Sequence, residues 1–156
     1  MLALYLAVAV LLTALVAWAY FTAQRLNRLH IRTDAALQAL QSALDRRAAL
    51  AAVILPETAA LASDAEEAAL EPEAFDERAV RERRLANSLP KHLPAPLVNA
   101  STRIQLAQRF YNDAVRDTRA LRLRPSVRML RLGGTARLPE YFVLGHPERG
   151  SERPGH

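Results

Sequence analysis

The sequence contains no cysteine, which excludes disulfide bonds, thiolate metal sites and a cysteine nucleophile. Glycine and aromatic residues are also scarce, with 5 Gly in the whole chain and aromatic side chains at 6% of residues. Alanine and leucine dominate, and β-branched residues are few beyond the opening segment. Because this composition favours helix over strand, it predicts an all-α protein.

Charged side chains are absent from Met1 to Gln24, a segment made almost entirely of Leu, Ala and Val. A helix of this length reaches about 36 Å, enough to cross the roughly 30 Å hydrocarbon core of a bilayer. Aromatic side chains lie near both ends, as in the interfacial belts of spanning helices: Tyr5, Trp18, Tyr20 and Phe21. Residues 1–24 are therefore predicted to form a transmembrane helix.

Basic residues flank this segment on one side only. No Lys or Arg precedes it, and Arg25, Arg28 and Arg32 follow at once. The positive-inside rule then places the N-terminus outside and the C-terminal domain in the cytoplasm of a single-pass protein of the cell membrane. A cleaved secretory signal, which would release a periplasmic or secreted helical domain, is the alternative. The missing basic n-region and the length of the apolar run favour an anchor. Small residues four apart in the anchor allow a homo-oligomer.

Helical periodicity continues after the anchor. A heptad-like seam typical of coiled coils predicts a helix from Arg25 to Leu55, ended by Pro56. A capping box at Ser63 to Glu66 predicts a helix start there, and Pro72 and Pro90 bound a further helix. Residues 91–99 are expected to form a loop, and residues 101–123 a last long helix ended by Pro125. The prediction is an antiparallel three- to four-helix bundle over residues 25–143 and a flexible tail over 144–156.

Aromatic side chains are expected to fill the space between these helices. The candidates for the core are Phe75, Phe110, Tyr111 and Phe142. Leu138 to Phe142 is predicted to form a packed strap, and Ser126 to Leu132 a short turn capped by Gly133 and Gly134. Asn112 flanks the seam of the last helix, and two interpretations are open: it is a buried polar residue that fixes register, or it is simply exposed.

Several motifs resemble the LemA family of bacterial membrane-anchored helical proteins. They are Leu26–Asp34 after the anchor, Leu44–Leu50 with Arg46 and Arg47, and Arg109–Asp117 with Tyr111, Asn112, Asp113, Arg116 and Asp117. The resemblance covers most of residues 1–143 and implies one membrane helix, a long helix and a helical bundle, without a known reaction. The chain departs from the family pattern at Ala52 and Val53, where a Pro-Asn pair is usual.

No arrangement of residues points to catalysis. The four histidines are far apart in sequence and lack metal-ligand spacing with one another, and no nucleophile elbow or phosphate-binding loop is present. Asp113 and Asp117 lie one turn apart, but Arg109 and Arg116 lie within reach, so surface ion pairs are the expected arrangement. The chain is predicted not to be an enzyme and to need no metal or cofactor.

Charge is segregated along the chain. Residues 57–77 carry only acidic charges, and residues 116–137 carry seven Arg against Asp117. Two interpretations remain open: the blocks neutralise each other, or the Arg segment contacts anionic lipid through Arg122, Arg124, Arg128 and Arg131. Nucleic acid is not expected as a partner because groove-entry motifs and interleaved aromatics are absent.

These features predict a membrane-anchored binding or scaffolding module with the bilayer and a protein as partners. Two alternatives are a regulatory or accessory subunit of a membrane-associated enzyme complex and a protein that contacts lipid through a basic surface.

Overall fold

The computed structural model describes residues 1–129 and 137–144. Within these ranges the chain is all-helical and contains no strand. The helices are α1 (Leu2–Ile54), α2 (Ala59–Glu67), α3 (Phe75–Ser88), α4 (Ala95–Arg122) and α5 (Pro125–Met129), with 3₁₀ turns at Pro56–Thr58 and Pro72–Ala74. The prediction of an all-α protein is confirmed.

Helix α1 is continuous from the apolar segment into the first charged residues. No Pro or Gly occurs before Pro56, so nothing in the sequence breaks the hydrogen-bond ladder before the helix ends at Ile54. The helix contains an apolar window with a mean hydropathy of 2.4, none of which is covered by the rest of the protein. It is the one helix in the described part of the chain that is long and apolar enough to cross a membrane. The predicted division at residue 24 stays a prediction, because the helix shows no boundary there.

The chain divides into two compact units, and both α1 and α4 contribute to each. Unit 1 comprises residues 1–35 and 113–139. Its small core consists of Leu26, Leu121 and Val127, with Leu29 packed against them. Beside this core the hydroxyls of Thr33 and Thr118 are hydrogen-bonded at 3.1 Å in a buried contact.

Unit 2 comprises residues 36–112 and 140–156, of which the part up to residue 144 is described. One buried cluster is rich in alanine and consists of Ala48, Ala51, Ala62, Ala65, Leu85 and Leu97. Alanine at these positions lets helix backbones approach closely. A second group is aromatic: Phe75 makes edge-to-face contacts with Tyr111 and Phe142, with ring centroids 5.9 and 5.2 Å away.

The predicted seam positions are largely buried. In α1 the central four seam residues are fully buried, namely Leu40, Leu44, Ala48 and Ala51. In α4 the buried seam residues are Ile104, Tyr111, Ala114, Thr118 and Leu121. The prediction for Phe110 is wrong: this side chain is 56% exposed, because the core is filled from α3 and the strap by Phe75 and Phe142.

Two predicted helix starts are also wrong. Helix α4 begins at Ala95, so residues 95–99 are helical instead of a loop. Pro96 is compatible with this start. Proline lacks an N–H donor, but amides in the first turn of a helix have no acceptor within the helix, so no hydrogen bond is lost. Ser63 lies inside α2 and caps nothing, since Pro56 starts a 3₁₀ turn that leads into α2 at Ala59.

The strap is confirmed as a packed segment. Residues 137–144 have no regular secondary structure, yet Phe142 is only 1% exposed. Helix α4 ends at Arg122, just before Pro125, as predicted, and α5 begins at Pro125. The predicted cap at Gly133 and Gly134, and the tail from Gly145 onwards, lie outside the described residues.

Candidate functional site

An open groove lies along α1 and α4 in unit 2 and has a volume of about 530 Å³. Its walls are mainly small or apolar: α1 contributes Ala36, Ala39, Ser42, Ala43 and Arg46, and α4 contributes Arg103, Leu106, Ala107 and Phe110. On each helix these residues recur every three or four positions, which places them on one helical face. The groove is therefore a property of two adjacent helix faces and not of a loop.

Large apolar side chains of this groove face solvent. Leu106 is 53% exposed and Phe110 is 56% exposed, one turn apart on α4. Opposite them, the alanines of α1 leave room for another backbone to approach. Exposed apolar surface of this kind, bordered by polar residues, marks interaction sites in soluble domains.

Two cations border the groove. Within the described part of the chain neither Arg46 nor Arg103 forms an ion pair. Leu97, near the start of α4, belongs to the same buried cluster as Ala48 and Ala51, near the end of α1. Arg46 and Arg103 consequently lie toward the same end of the groove. The groove combines an apolar floor with positive charge at one end.

A network of buried charges holds α3 against α1. Glu82 is fully buried and accepts hydrogen bonds from Arg47 Nη2 at 2.5 Å and from Arg78 Nε at 3.0 Å. Arg78, also fully buried, donates to Ala68 O at 2.6 Å and to Asp45 Oδ1 at 2.7 Å. The four charges balance, as buried ions require. We regard this network as structural because it binds the helices of unit 2 to one another.

The residues of the motifs at Leu44–Leu50 and Arg109–Asp117 have different environments. Arg47 is buried in the charge network, whereas its neighbour Arg46 is exposed at the groove. Tyr111 is buried and donates its hydroxyl hydrogen to Glu140 O at 2.8 Å. Asn112 is half-buried and binds the main chain of Phe142, so it positions the strap and does not set helix register. The motif residues thus serve different structural purposes.

The carboxylates of α4 form surface ion pairs, as expected. Asp113 pairs with Arg116 at 3.0 Å. Asp117 pairs with Arg32 of α1 at 3.2 Å, a partner that spacing within α4 did not suggest.

The Arg segment is divided among several environments. Arg122 is half-buried and donates to Arg137 O at 2.8 Å, while Arg124 and Arg128 are exposed. Arg131 lies outside the described residues. In the acidic block, Asp64 and Glu77 both bind Arg81 of α3, at 3.0 and 2.5 Å. These two carboxylates are therefore paired with an arginine outside the segment 116–137.

Sequence reasoning missed the charge network and the groove. For the network a signal was present: Arg78 and Glu82 are one turn apart, on the same helical stripe as Phe75, Ala79 and Leu85. Charges on an apolar stripe indicate burial with partners. For the groove no signal existed, because small residues on a helix face are equally compatible with a packed core.

These observations define a helical protein with a helix long and apolar enough to span a membrane and with an apolar groove bordered by cations. Comparison of the chain with models of protein families, with curated proteins and with solved structures gives no match. Among the residues that the structure describes, no group of three or more His, Cys, Asp or Glu side chains could hold a metal ion.

Proposed function

We propose that this chain is a single-pass membrane protein whose helical domain binds a helix of a partner protein in the groove between α1 and α4. The observation that carries the proposal is the exposed apolar floor of the groove with Arg46 and Arg103 at one end. A binding module of this kind needs no reacting group of its own. The similarity to LemA proteins is part of the proposal and rests on the motifs given above.

The anchor is supported by the exposure of the apolar part of α1. Its side chains are uncovered by the rest of the protein, for example Leu2 at 77%, Leu11 at 71% and Phe21 at 70%. A fully apolar helix surface in water is unfavourable by about 25 cal/mol per Å², so a bilayer is the environment that suits it.

The proposed arrangement of the domain is an antiparallel bundle. In unit 1, Thr33 pairs with Thr118 and the earlier Leu26 clusters with the later Leu121. In unit 2, the start of α4 shares a cluster with the end of α1. Both relationships are those of helices that run in opposite directions.

The occupant proposed for the groove is an amphipathic helix with apolar side chains at i, i+3 or i+4, and i+7, and with an acidic side chain near one end. The spacing follows from the groove walls, which span about three turns of helix. The acidic group follows from Arg46 and Arg103, which form no ion pair with any described residue. A second copy of this chain fits less well, because it would bring two further cations of the same groove to the interface.

A cross-linking experiment on the full chain in its membrane tests the occupant. A photoreactive amino acid replaces Ala39, which is exposed in the groove, or Ala49, which is exposed on α1 outside it. We expect adducts from position 39 only, and we expect their cross-linked peptide to be an apolar helix that contains Asp or Glu.

Charge reversal of the two arginines tests whether the bound helix is recognised through its acidic side chain. The double variant Arg46→Glu/Arg103→Glu should lose the adduct while its helix content stays unchanged. An adduct with a second copy of the chain, a peptide without acidic residues, or equal yields at positions 39 and 49 would contradict the proposal.

The proposed orientation places the N-terminus outside and the helical domain in the cytoplasm. Its support is the group of basic residues directly after the anchor, Arg25, Arg28 and Arg32. The absence of cysteine makes a labelling test simple: Asn87→Cys puts a single thiol on the exposed face of α3. A membrane-impermeant maleimide should label it only after the cells are permeabilised. Labelling in intact cells would reverse the orientation.

The accessory-subunit alternative differs from this proposal in the identity of the partner. Identification of the cross-linked protein as an enzyme of the membrane would favour that alternative without changing the role of the groove.

A further inference from the structure

A second cavity, in unit 1, is lined by basic side chains. It has a volume of about 330 Å³, and its walls are Arg25, Leu29 and Arg32 of α1 together with Asp117, Ala120, Leu121 and Arg124. The three α1 residues are spaced by four and three positions and so share one helical face. We propose that this basic pocket binds the phosphate group of an anionic phospholipid, an inference that rests on the membrane anchoring proposed above.

The charge of the pocket suits an anion. Arg32 Nη1 lies 3.2 Å from Asp117 Oδ2, which balances one of the three arginines. Within the described part of the chain, Arg25 and Arg124 form no ion pair. Two cations thus remain available on opposite walls of one cavity. Guanidinium groups bind phosphate oxygens in a bidentate manner, so two of them can hold one phosphate from both sides.

The position of the pocket relative to the membrane indicates that the phosphate belongs to a lipid. Arg25 is the first charged side chain after the apolar segment, and α1 is unbroken through this point. Because residues 1–24 span about 36 Å against a hydrocarbon core of roughly 30 Å, Arg25 emerges at the level of the lipid headgroups. The pocket therefore opens where phospholipid phosphates are concentrated, and Leu29 and Leu121 contribute apolar side chains to its walls.

The pocket differs from the lipid surface predicted from the sequence. That prediction relied on the Arg segment alone, of which Arg122 is half-buried and bonded to a carbonyl. The structure brings Arg124 together with Arg25 and Arg32, which follow the apolar segment directly in sequence. The pocket should therefore bind one lipid and become saturated, whereas an exposed Arg segment would be attracted to any anionic membrane surface.

Native mass spectrometry of the full chain in micelles tests the proposal. Delipidated protein is titrated with phosphatidylglycerol or with phosphatidylcholine, and the fraction with one bound lipid is measured. We expect phosphatidylglycerol to bind preferentially and the variant Arg25→Gln/Arg124→Gln to bind it about thirtyfold more weakly, since each arginine contributes about five- to sixfold. Asp117→Asn should strengthen the binding, because it removes the one negative charge of the pocket.

A matched control separates the pocket from net charge. The variant Arg84→Gln/Arg109→Gln removes the same charge from exposed positions on α3 and α4 that do not line the pocket. Its affinity for phosphatidylglycerol should stay within about twofold of the unmodified protein. Equal losses in the two double variants would overturn the pocket, and full competition by millimolar inorganic phosphate would overturn the lipid as its ligand.

Extraction of membranes with alkaline carbonate distinguishes failure of this inference from failure of the anchor. Recovery of the full chain in the supernatant would overturn the membrane anchoring itself. If the chain stays with the membrane but shows no preference for phosphatidylglycerol, the anchoring stands and the pocket assignment is wrong.

Discussion

Asn112 binds both main-chain groups of Phe142: its Nδ2 donates to the carbonyl oxygen at 2.9 Å, and its Oδ1 accepts from the amide nitrogen at 3.0 Å. Residue 142 has no strand partner in the described part of the chain, and the side-chain amide of Asn112 supplies both hydrogen bonds that a neighbouring strand would make to its main chain. This pair of bonds fixes the position at which the Phe142 ring enters the core beside Phe75.

Asn112→Ala should lower the free energy of unfolding by about 1–3 kcal/mol, because it removes two hydrogen bonds to the main chain of Phe142. Gln108→Ala is the control, since Gln108 makes a single, longer bond of 3.3 Å to the same carbonyl. Denaturation of the full chain in micelles, followed by circular dichroism, measures both. A loss for Asn112→Ala no larger than that for Gln108→Ala would contradict this role.

Glu82→Gln should be far more damaging than its conservative appearance suggests. It removes the fully buried carboxylate that binds both buried arginines, and a change of this kind costs about 3–5 kcal/mol. Glu77→Gln breaks a surface pair with Arg81 and should change stability by less than about 1 kcal/mol. Urea unfolding of the two variants makes the comparison. Similar values would show that the network contributes little to the fold.

The two buried threonines of unit 1 should respond unequally to replacement by valine. Thr33 donates its hydroxyl hydrogen to Leu29 O at 2.9 Å, so the hydrogen between the threonines comes from Thr118. Thr33→Val removes the acceptor of that hydrogen and leaves a buried donor unpaired, at a cost of about 1–3 kcal/mol. Thr118→Val leaves no donor unpaired and should cost less.

The double variant Thr33→Val/Thr118→Val should cost less than the sum of the single changes, because it removes donor and acceptor together. Strict additivity in a double-mutant cycle would indicate that the two hydroxyls do not interact.

Two phenylalanines provide a further comparison. Phe75→Ala should destabilise the fold by about 3–5 kcal/mol, since Phe75 is buried between Tyr111 and Phe142. Phe110→Ala should change stability by less than about 1 kcal/mol, because its ring lies at the surface of the groove. The same Phe110 variant should reduce cross-linking from position 39. Marked destabilisation by Phe110→Ala would place that ring in the core instead of the binding surface.

Helices were predictable from the sequence because local rules determine them. Pro56 and Pro125 bound helices where expected, and the spacing of Leu40 and Leu44 indicated the buried face of α1. The errors arose where two local signals competed. Pro96 suggested a loop, but proline is tolerated in the first turn of a helix, and α4 begins at Ala95. Ser63 belongs to a capping motif, but it lies inside α2, which begins at Ala59.

The candidate sites were only partly predictable, because a groove or pocket depends on which helix faces meet. Arg46 and Arg103 are far apart in sequence and become neighbours through packing alone. The same holds for Arg25 and Arg124. Phe110 shows the limit most clearly: its spacing is that of a core residue, and only the presence of Phe75 and Phe142 in that core places it outside.

The balance of charges around Glu82 also limits how this chain can diverge. Glu82 contacts Arg47 through one oxygen and Arg78 through the other, and Arg78 continues to Asp45. A substitution at any one of these positions leaves an uncompensated ion inside the protein, so tolerated changes must occur at several positions together. In a set of related sequences, positions 45, 47, 78 and 82 should therefore covary, and their joint replacement by uncharged residues should preserve the fold.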